Sequence, residues 1–132
     1  MGNFGVVLDT GALVMAEKQV KTVWALKDEV HAQQRKLIVV SPVVTRAWRD
    51  GAKQAMLARF LKGCLVVEPS ERLAKAAGVL LGRSGTSDAV DALVVAAALE
   101  YDASLVVTSD PGDIAHLIGS SGARTDLEIY QV

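Results

Sequence analysis

The sequence predicts an α/β fold of three layers, α/β/α, in which helices cover both faces of a mostly parallel sheet. Three observations carry this expectation. Val-rich apolar runs of strand length recur at 4–8 (FGVVL), 36–40 (KLIVV), 64–68 (CLVVE) and 104–108 (SLVVT). They do not alternate with polar residues, which suits strands buried on both faces of a parallel sheet. The segments between them have the apolar spacing of helices, and alternation of strand and helix along a chain builds this architecture. With 132 residues, 51% of them hydrophobic and 22% charged, the chain is expected to form one globular domain over 1–132. Aromatic residues are only 5%, so the core must be built mainly from Val, Leu and Ala.

Each element follows from local signals. After the first strand, GALVMAEKQVKTVWALKDEVHAQQRK can form two helices, with Leu13, Val14, Trp24, Leu26 and Val30 as apolar candidates; Glu17 is expected as an exposed charge, with approach to the strand-end acids as the alternative if the first helix follows Asp9 directly. The second strand leads into SPVVTRAWRDG, a helix that Ser41 and Pro42 open. The third strand ends at Pro69, and Ser70 is placed to cap the helix SERLAKAAGVLLGRSG, whose apolar stripe is Leu73, Ala76, Ala77, Leu80 and Leu81. Either Gly82 or Gly85 can stop it. SDAVDALVVAAALEY is apolar nearly all round after its first turn, so it is expected to be deeply buried. The fourth strand runs into DPGD, where Asp110 suits an N-cap, Pro111 the first helical position and Asp113 the third. LEIYQV at 127–132 alternates and is expected to be an edge strand.

Composition excludes several classes. Fourteen basic and fifteen acidic residues leave a net charge of -1, so nothing global points to nucleic acid or membrane. Cys64 is the single cysteine, which rules out an internal disulfide, and no Cys/His spacing suggests zinc. Its CLVV context marks it as a small buried hydrophobe. The start lacks a basic, then apolar, leader pattern, and the longest apolar run, Ala92 to Leu99, is too short to span a bilayer. The expectation is a soluble cytoplasmic protein with no membrane partner. His31 and His116 have no partner in the sequence, and neither is assigned as a catalytic base.

The acids carry the chemical signal. In an open parallel sheet, ligands bind beyond the carboxyl ends of the strands. Asp9 directly follows VVL, Asp110 lies just past LVVTS, Asp88 and Asp91 open the buried helix, and Asp113 is one turn beyond Asp110. Singly, each is explained by helix capping and the helix dipole. Collectively, carboxylates from distant parts of the chain would repel one another unless a cation compensates. All-oxygen ligands select a hard ion, Mg²⁺ or Mn²⁺, and such an ion assists hydrolysis of a phosphate ester.

In VVLDTGAL at 6–13, SDAVDALVVAAAL at 87–99 and LVVTSDPGDI at 105–114, taken in that order, the chain resembles the PIN domain. Within that family it is most similar to the toxin ribonucleases of VapBC toxin–antitoxin modules. The resemblance covers nearly the whole chain, including SPVV and the run AAGVLLGRSG. It implies a sheet ordered 3-2-1-4-5, Mg²⁺-dependent endoribonuclease activity and inhibition by a cognate antitoxin. By position it implies Asp9, Asp91 and Asp110 as catalytic residues and Asp9 and Asp91 as the principal metal ligands. Asp110 would complete the acidic pocket and Asp113 would hold a ligand through water, so that both count among the metal-site residues. Thr10, Thr108 and Asp88 would support these acids. A homodimer is common in the family.

One position departs from the pattern. Where the family usually carries another acid, most often Glu, on the helix after the second strand, this chain has Arg46, and Asp50 is one turn further on. The change either weakens metal affinity or supplies a guanidinium for the scissile phosphate. Arg46, Arg49 and Lys53 fall at i, i+3 and i+7, so one helix could present all three to an RNA backbone. A solvated face balanced by Asp50 accounts for the same spacing, with Trp48 in the core. Arg46 also motivates a second reading, a PIN-like module that binds RNA or protein without cutting it. A phospho-accepting receiver domain fits poorly, because no Asp follows the third strand.

Overall fold

Parallel pairing of Val6 with Leu37 and Leu105, and of Val7 with Ile38 and Val106, sets the centre of the sheet. The structure, a computed structural model, describes residues 5–123 and 126–132; Phe4, the expected start of the first strand, lies outside the described residues. The strands are β1 (Val6–Leu8), β2 (Leu37–Val40), β3 (Leu65–Val67), β4 (Leu105–Thr108) and β5 (Glu128–Gln131). They form one five-stranded sheet in the order β3-β2-β1-β4-β5, every pair parallel. The three-layer α/β/α expectation and the implied strand order are both met.

The helices are α1 (Thr10–Glu17), α2 (Lys21–Ala32), α3 (Ser41–Ala47), α4 (Ala55–Lys62), α5 (Glu71–Ser84), α6 (Ala89–Glu100) and α7 (Pro111–Ser120). Helix α1 packs against α2, α3 and α4, whereas α5, α6 and α7 pack on one another, which separates the two helical layers. Val7, Leu8, Val39, Val106 and Val107 between them are buried. Helix α6 is the most apolar and lies over β1, β2 and β4, with Ala92 and the run Val94 to Ala98 buried. Trp24 meets Phe60 edge to face at 5.1 Å and donates its indole N–H to the Ala16 carbonyl at 2.9 Å. Among the described residues no helix is long and apolar enough to cross a membrane.

Caps agree closely with local chemistry. Ser70 accepts from the Leu73 N–H at 3.1 Å, and Gly85 ends α5 in the left-handed conformation at φ 70°, which leaves Gly82 inside the helix. Of the α5 stripe, Leu73, Ala77 and Leu80 are buried, Leu81 is half-buried and Ala76 faces solvent. Cys64 is half-buried and donates weakly to the Phe60 carbonyl at 3.4 Å; burial pushes its thiol up to about 12.

Two expectations are corrected. Strand β3 is not buried on both faces: it is an edge strand, with no strand beyond it among the described residues, and Leu65 and Val66 are exposed. The basic residues 46, 49 and 53 do not share one helix. Helix α3 stops at Ala47, Trp48 is extended, and Asp50 caps a 3-10 turn over Gly51–Lys53. The break is held by Gln54, which is nearly buried. Its Oε1 accepts the N–H groups of Arg49 (2.7 Å) and Asp50 (2.9 Å). Its Nε2 donates to the Ala47 carbonyl (2.9 Å) and to Glu17 Oε1 (3.1 Å). One side-chain amide thereby replaces the hydrogen bonds a continuing helix would have made.

Gln54→Ala is expected to lower stability by about 3 kcal/mol, because several buried backbone groups lose their partner together. Urea denaturation of the variant beside the wild-type protein measures this; a change below about 1 kcal/mol would show that water replaces the amide.

Candidate functional site

The acids gather where β1 and β4 end. The Asp9 N–H donates to the Val107 carbonyl at 3.0 Å, continuing the β1–β4 ladder one residue past β1. The Asp9 side chain then turns back as the N-cap of α1, accepting the Ala12 N–H at 3.0 Å, and is only 4% exposed. Thr108, fully buried at the end of β4, links the two strands: its hydroxyl donates to Asp9 and its Oγ1 accepts the Asp110 N–H at 2.8 Å. Asp110 in turn caps α7 by accepting the Asp113 N–H at 3.4 Å. Asp88 caps α6 by accepting the Asp91 N–H at 3.0 Å. Capping is therefore real at Asp9, Asp88 and Asp110, and the caps are what carry the acids to one edge of the sheet.

The electrostatics show which acids face one another. Burial raises the Asp91 carboxyl to about 6 from an ordinary 3.8, and the negative charges of Asp88, Asp9 and Asp110 push the same way against Arg46. Burial also raises Asp9, with Asp110 adding to it, although the Thr108 hydroxyl and the N–H groups of Ala12 and Gly11 pull it down. Asp88 behaves oppositely. Burial raises it, but the Asp91 N–H and the Arg46 guanidinium outweigh that and leave it below the usual carboxylate range. Asp113 is exposed at the rim, raised by a side-chain hydrogen bond and the charge of Asp110, and felt by Asp88 and His116. Asp9, Asp91 and Asp110 thus form the centre, with Asp88 and Asp113 flanking it.

Arg46 stands at this pocket as a cation. Its Nη1 lies 3.1 Å from Asp88 Oδ2, an ion pair across 42 positions of sequence. Arg46 also lines a cleft of about 380 Å³ beside the acids, together with Val14, Glu17, Arg49, Lys53 and Gln54. The basic residues separated by the helix break therefore meet again around one cleft. Glu17, expected as an exposed charge, is half-buried and bonded to Gln54. Thr10 follows Asp9 on α1, and its Oγ1 is buried with no hydrogen-bond partner among the described residues. His31 and His116 bond to the carbonyls of Gly63 (2.8 Å) and Ser84 (2.9 Å).

Sequence reasoning missed Gly11 and Ser109. A Cβ at Gly11 would fall 2.5 Å from the Ser109 Cβ and 3.1 Å from its backbone nitrogen. Only glycine lets the first turn of α1 lie this close to the loop leaving β4, and that approach brings Asp9 and Asp110 together. The glycine two residues after the acid in LDTG was the available signal, but its partner is far away in sequence.

The PIN domain family profile matches residues 6–117. The chain belongs to the PIN domain family. The match contains Asp9, Arg46, Asp88, Asp91, Thr108, Asp110 and Asp113, and it ends before β5. Three solved structures share this PIN fold. VapBC2 from Rickettsia felis bound to a DNA fragment from their promoter has 20% identity and TM-score 0.72, covering 96% of this chain and 98% of that one. FitAB bound to an IR36 DNA fragment has 15% identity and TM-score 0.65, with coverage of 96% and 94%. PAE2754 from Pyrobaculum aerophilum has 17% identity and TM-score 0.62, with coverage of 96% and 84%. No curated protein matches the sequence significantly.

A divalent ion can be tested against this PIN pocket from its own residues. Among the described residues no group of three or more acidic, His or Cys side chains is placed to hold a metal ion. Burial, with the charges of Asp88, Asp9 and Asp110 added to it, nevertheless raises Asp91 to about 6, and the donors are all oxygen. That set suits Mg²⁺ or Mn²⁺, which are held through one or two carboxylates and otherwise keep water.

Two outcomes follow for this site. Gly11→Ala is expected to destabilise the protein by about 1–3 kcal/mol, and Ser109→Gly in the same chain to restore part of the loss, read by thermal unfolding. The raised Asp91 pKa makes its ionised carboxyl a source of instability: its contribution to stability is fully present below about pH 4 and is lost as pH rises through about 6, because the folded state holds the proton longer than the unfolded chain. Asp91→Asn should flatten this dependence and stabilise the protein at pH 7 by about 1 kcal/mol, after allowing for solvent screening of a half-exposed group. Denaturation of both proteins at pH 4, 6 and 7.5 measures it, and a difference between them that does not grow in the variant's favour over this window would contradict the pKa shift.

Proposed function

We propose that this PIN domain is a divalent-metal-dependent endoribonuclease, the toxin of a toxin–antitoxin pair. Its partners are then a cognate antitoxin and an RNA substrate, and residues 1–132 act as one domain, in a homodimer, in the cytoplasm. The observation that carries this reading is the grouping of Asp9, Asp91 and Asp110, with Asp91 pushed to about 6 by burial and by its acidic neighbours. Similarity of fold to VapBC2 and FitAB, both determined bound to DNA fragments, supports the toxin assignment.

In this mechanism Asp9 and Asp91 would hold Mg²⁺ or Mn²⁺, Asp110 would complete the ligand set, and Asp113 would act from the rim through water. When bound, the ion supplies Lewis-acid stabilisation of the phosphoryl and leaving oxygens. Thr108 orients the Asp9 carboxylate by donating to it while its oxygen anchors the Asp110 backbone, so two acids are positioned by one hydroxyl. The hydroxyl of Thr10 beside Asp9, without a hydrogen-bond partner among the described residues, marks hydrogen-bonding capacity that those residues leave unused. Asp88 keeps its charge at low pH through Arg46, which leaves Arg46 beside Asp91 with further N–H donors for a phosphate oxygen. Arg49 and Lys53 would contact the flanking backbone.

The Arg46–Asp88 pair favours one other reading, a PIN-like module that binds RNA or protein without cutting. An internal guanidinium already compensates part of the acidic charge there, which lowers the demand for a metal ion.

Purified protein is expected to cleave RNA when Mg²⁺ or Mn²⁺ is added, to stop on addition of EDTA, and to be inactive as Asp9→Asn. Titration calorimetry should show Mn²⁺ binding that Asp9→Asn loses. Equal cleavage by wild-type and Asp9→Asn protein would refute the site, whereas absence of both cleavage and Mn²⁺ binding would establish the binding module.

A further inference from the structure

The cleft beside the acids has a composition that phosphate contact alone does not explain. It holds about 380 Å³, within the range of small-ligand sites, and its basic residues Arg46, Arg49 and Lys53 surround a carboxylate, Glu17. A surface built only to attract a polyanion would gain nothing from an acid in its midst. Glu17 is not a loose surface charge either. It is half-buried at the end of α1 and its Oε1 receives the Nε2–H of Gln54 at 3.1 Å. Gln54 is itself nearly buried and fixed by three further hydrogen bonds, to the Ala47 carbonyl and the N–H groups of Arg49 and Asp50. The carboxylate is therefore held in place by a side chain whose other contacts are all spent. Its second oxygen remains an acceptor, and an ionised carboxylate can only accept. Asp50, the other acid of the cleft, is committed to capping Ala52 at 3.1 Å.

The cleft adjoins the acidic pocket through Arg46, which lines the first and pairs at 3.1 Å with Asp88 of the second. An RNA strand whose phosphodiester lies against Asp9 and Asp91 would bring a neighbouring nucleotide to it. Val14 and Ala47 supply apolar surface, the guanidinium of Arg49 a plane on which a base can stack, and Lys53 a charge for the adjoining phosphate. Arg49 is steadied for this by bonds from Nη1 to the carbonyls of Thr45 (3.1 Å) and Trp48 (2.7 Å).

We infer that this cleft is a base-reading subsite in which Glu17 selects guanine next to the bond to be cut. Guanine is the base whose Watson–Crick edge presents two neighbouring N–H donors, from N1 and N2, to a carboxylate. Uracil offers one donor, N3–H, flanked by two carbonyl oxygens that a carboxylate repels, while adenine and cytosine offer a single amino group beside a ring-nitrogen acceptor. The inference rests on the proposed RNA-cleaving reading of the acidic pocket, and it adds the sequence preference of that pocket.

The test uses fluorescein-labelled UUGU, UUAU, UUCU and UUUU, with binding read by anisotropy in EDTA so that no strand is cut. Wild-type protein should bind UUGU about tenfold more tightly than UUUU, the size of one base-edge recognition. Glu17→Gln keeps the shape and the bond from Gln54, and should abolish that preference while leaving UUUU binding equal or stronger. Arg49→Ala should weaken all four strands alike. Equal or undetectable binding of the four by wild-type protein, or an unchanged preference in Glu17→Gln, overturns the inference; the latter would mean that guanine is read by other residues. Cleavage of unlabelled RNA with Mg²⁺ is scored separately. Its absence would refute the nuclease reading and leave the anisotropy result standing, whereas cleavage without base preference would refute only the subsite.

Discussion

Strands β1 and β4 lie side by side and parallel at the middle of the sheet, in register from Val6 and Leu105 to Leu8 and Val107. Because parallel neighbours end at the same edge, the chain must leave both strands there, and each exit opens a helix. Each of these helices needs a cap, and aspartate serves at both, Asp9 for α1 and Asp110 for α7. Thr108 ties the two exits together by bonding one acid's side chain and the other's backbone. The absence of a side chain at Gly11 permits the close approach of Ser109. Everything proposed about the acidic pocket depends on this pairing, since a shift of either strand would part the acids.

Capping and function are not alternatives in this geometry. The N–H groups that satisfy an N-cap carboxylate also stabilise its charge, so the scaffold offsets part of the repulsion it creates. The balance differs among the acids. Asp88 has an N–H donor and Arg46 and ends below the usual range, whereas Asp91 sits one turn inside α6 among acids and is raised to about 6. Two carboxylates three residues apart are thereby driven in opposite directions. The one left unfavourably charged is the one a cation would stabilise most.

Arg46 and Gln54 connect this pocket to its surroundings. Arg46 pairs with an acid at the start of α6 and also walls the neighbouring cleft, so charge in one place is felt in the other. Gln54 ends α3, shapes the 3-10 turn and holds Glu17, three tasks performed by one buried amide. Such a residue gives the basic side chains a bent support rather than a straight helix, and they surround a cleft instead of forming a stripe.

Much of the fold was legible in the sequence because its signals are local. Val-rich runs marked the strands, Ser70, Asp88 and Asp110 marked helix starts, and the pair Gly82 and Gly85 marked an end that the structure places at Gly85, each through bonds spanning only a few residues. The grouping of Asp9, Asp91 and Asp110 followed from placing them where strands of a parallel sheet end, whereas the strand order and the role of each acid came from family resemblance, since spacing alone does not fix which strands are neighbours. Tertiary structure alone decided the rest. The contact of Gly11 with Ser109, the pairing of Arg46 with Asp88 over 42 positions and the bond from Gln54 to Glu17 over 37 have no local signature. The exposure of Leu65 and Val66 likewise reflects only the place of β3 at the sheet edge. The physical reason is range: a cap or a turn is specified by neighbours along the chain, whereas a contact across the sheet exists only once packing has placed its two halves.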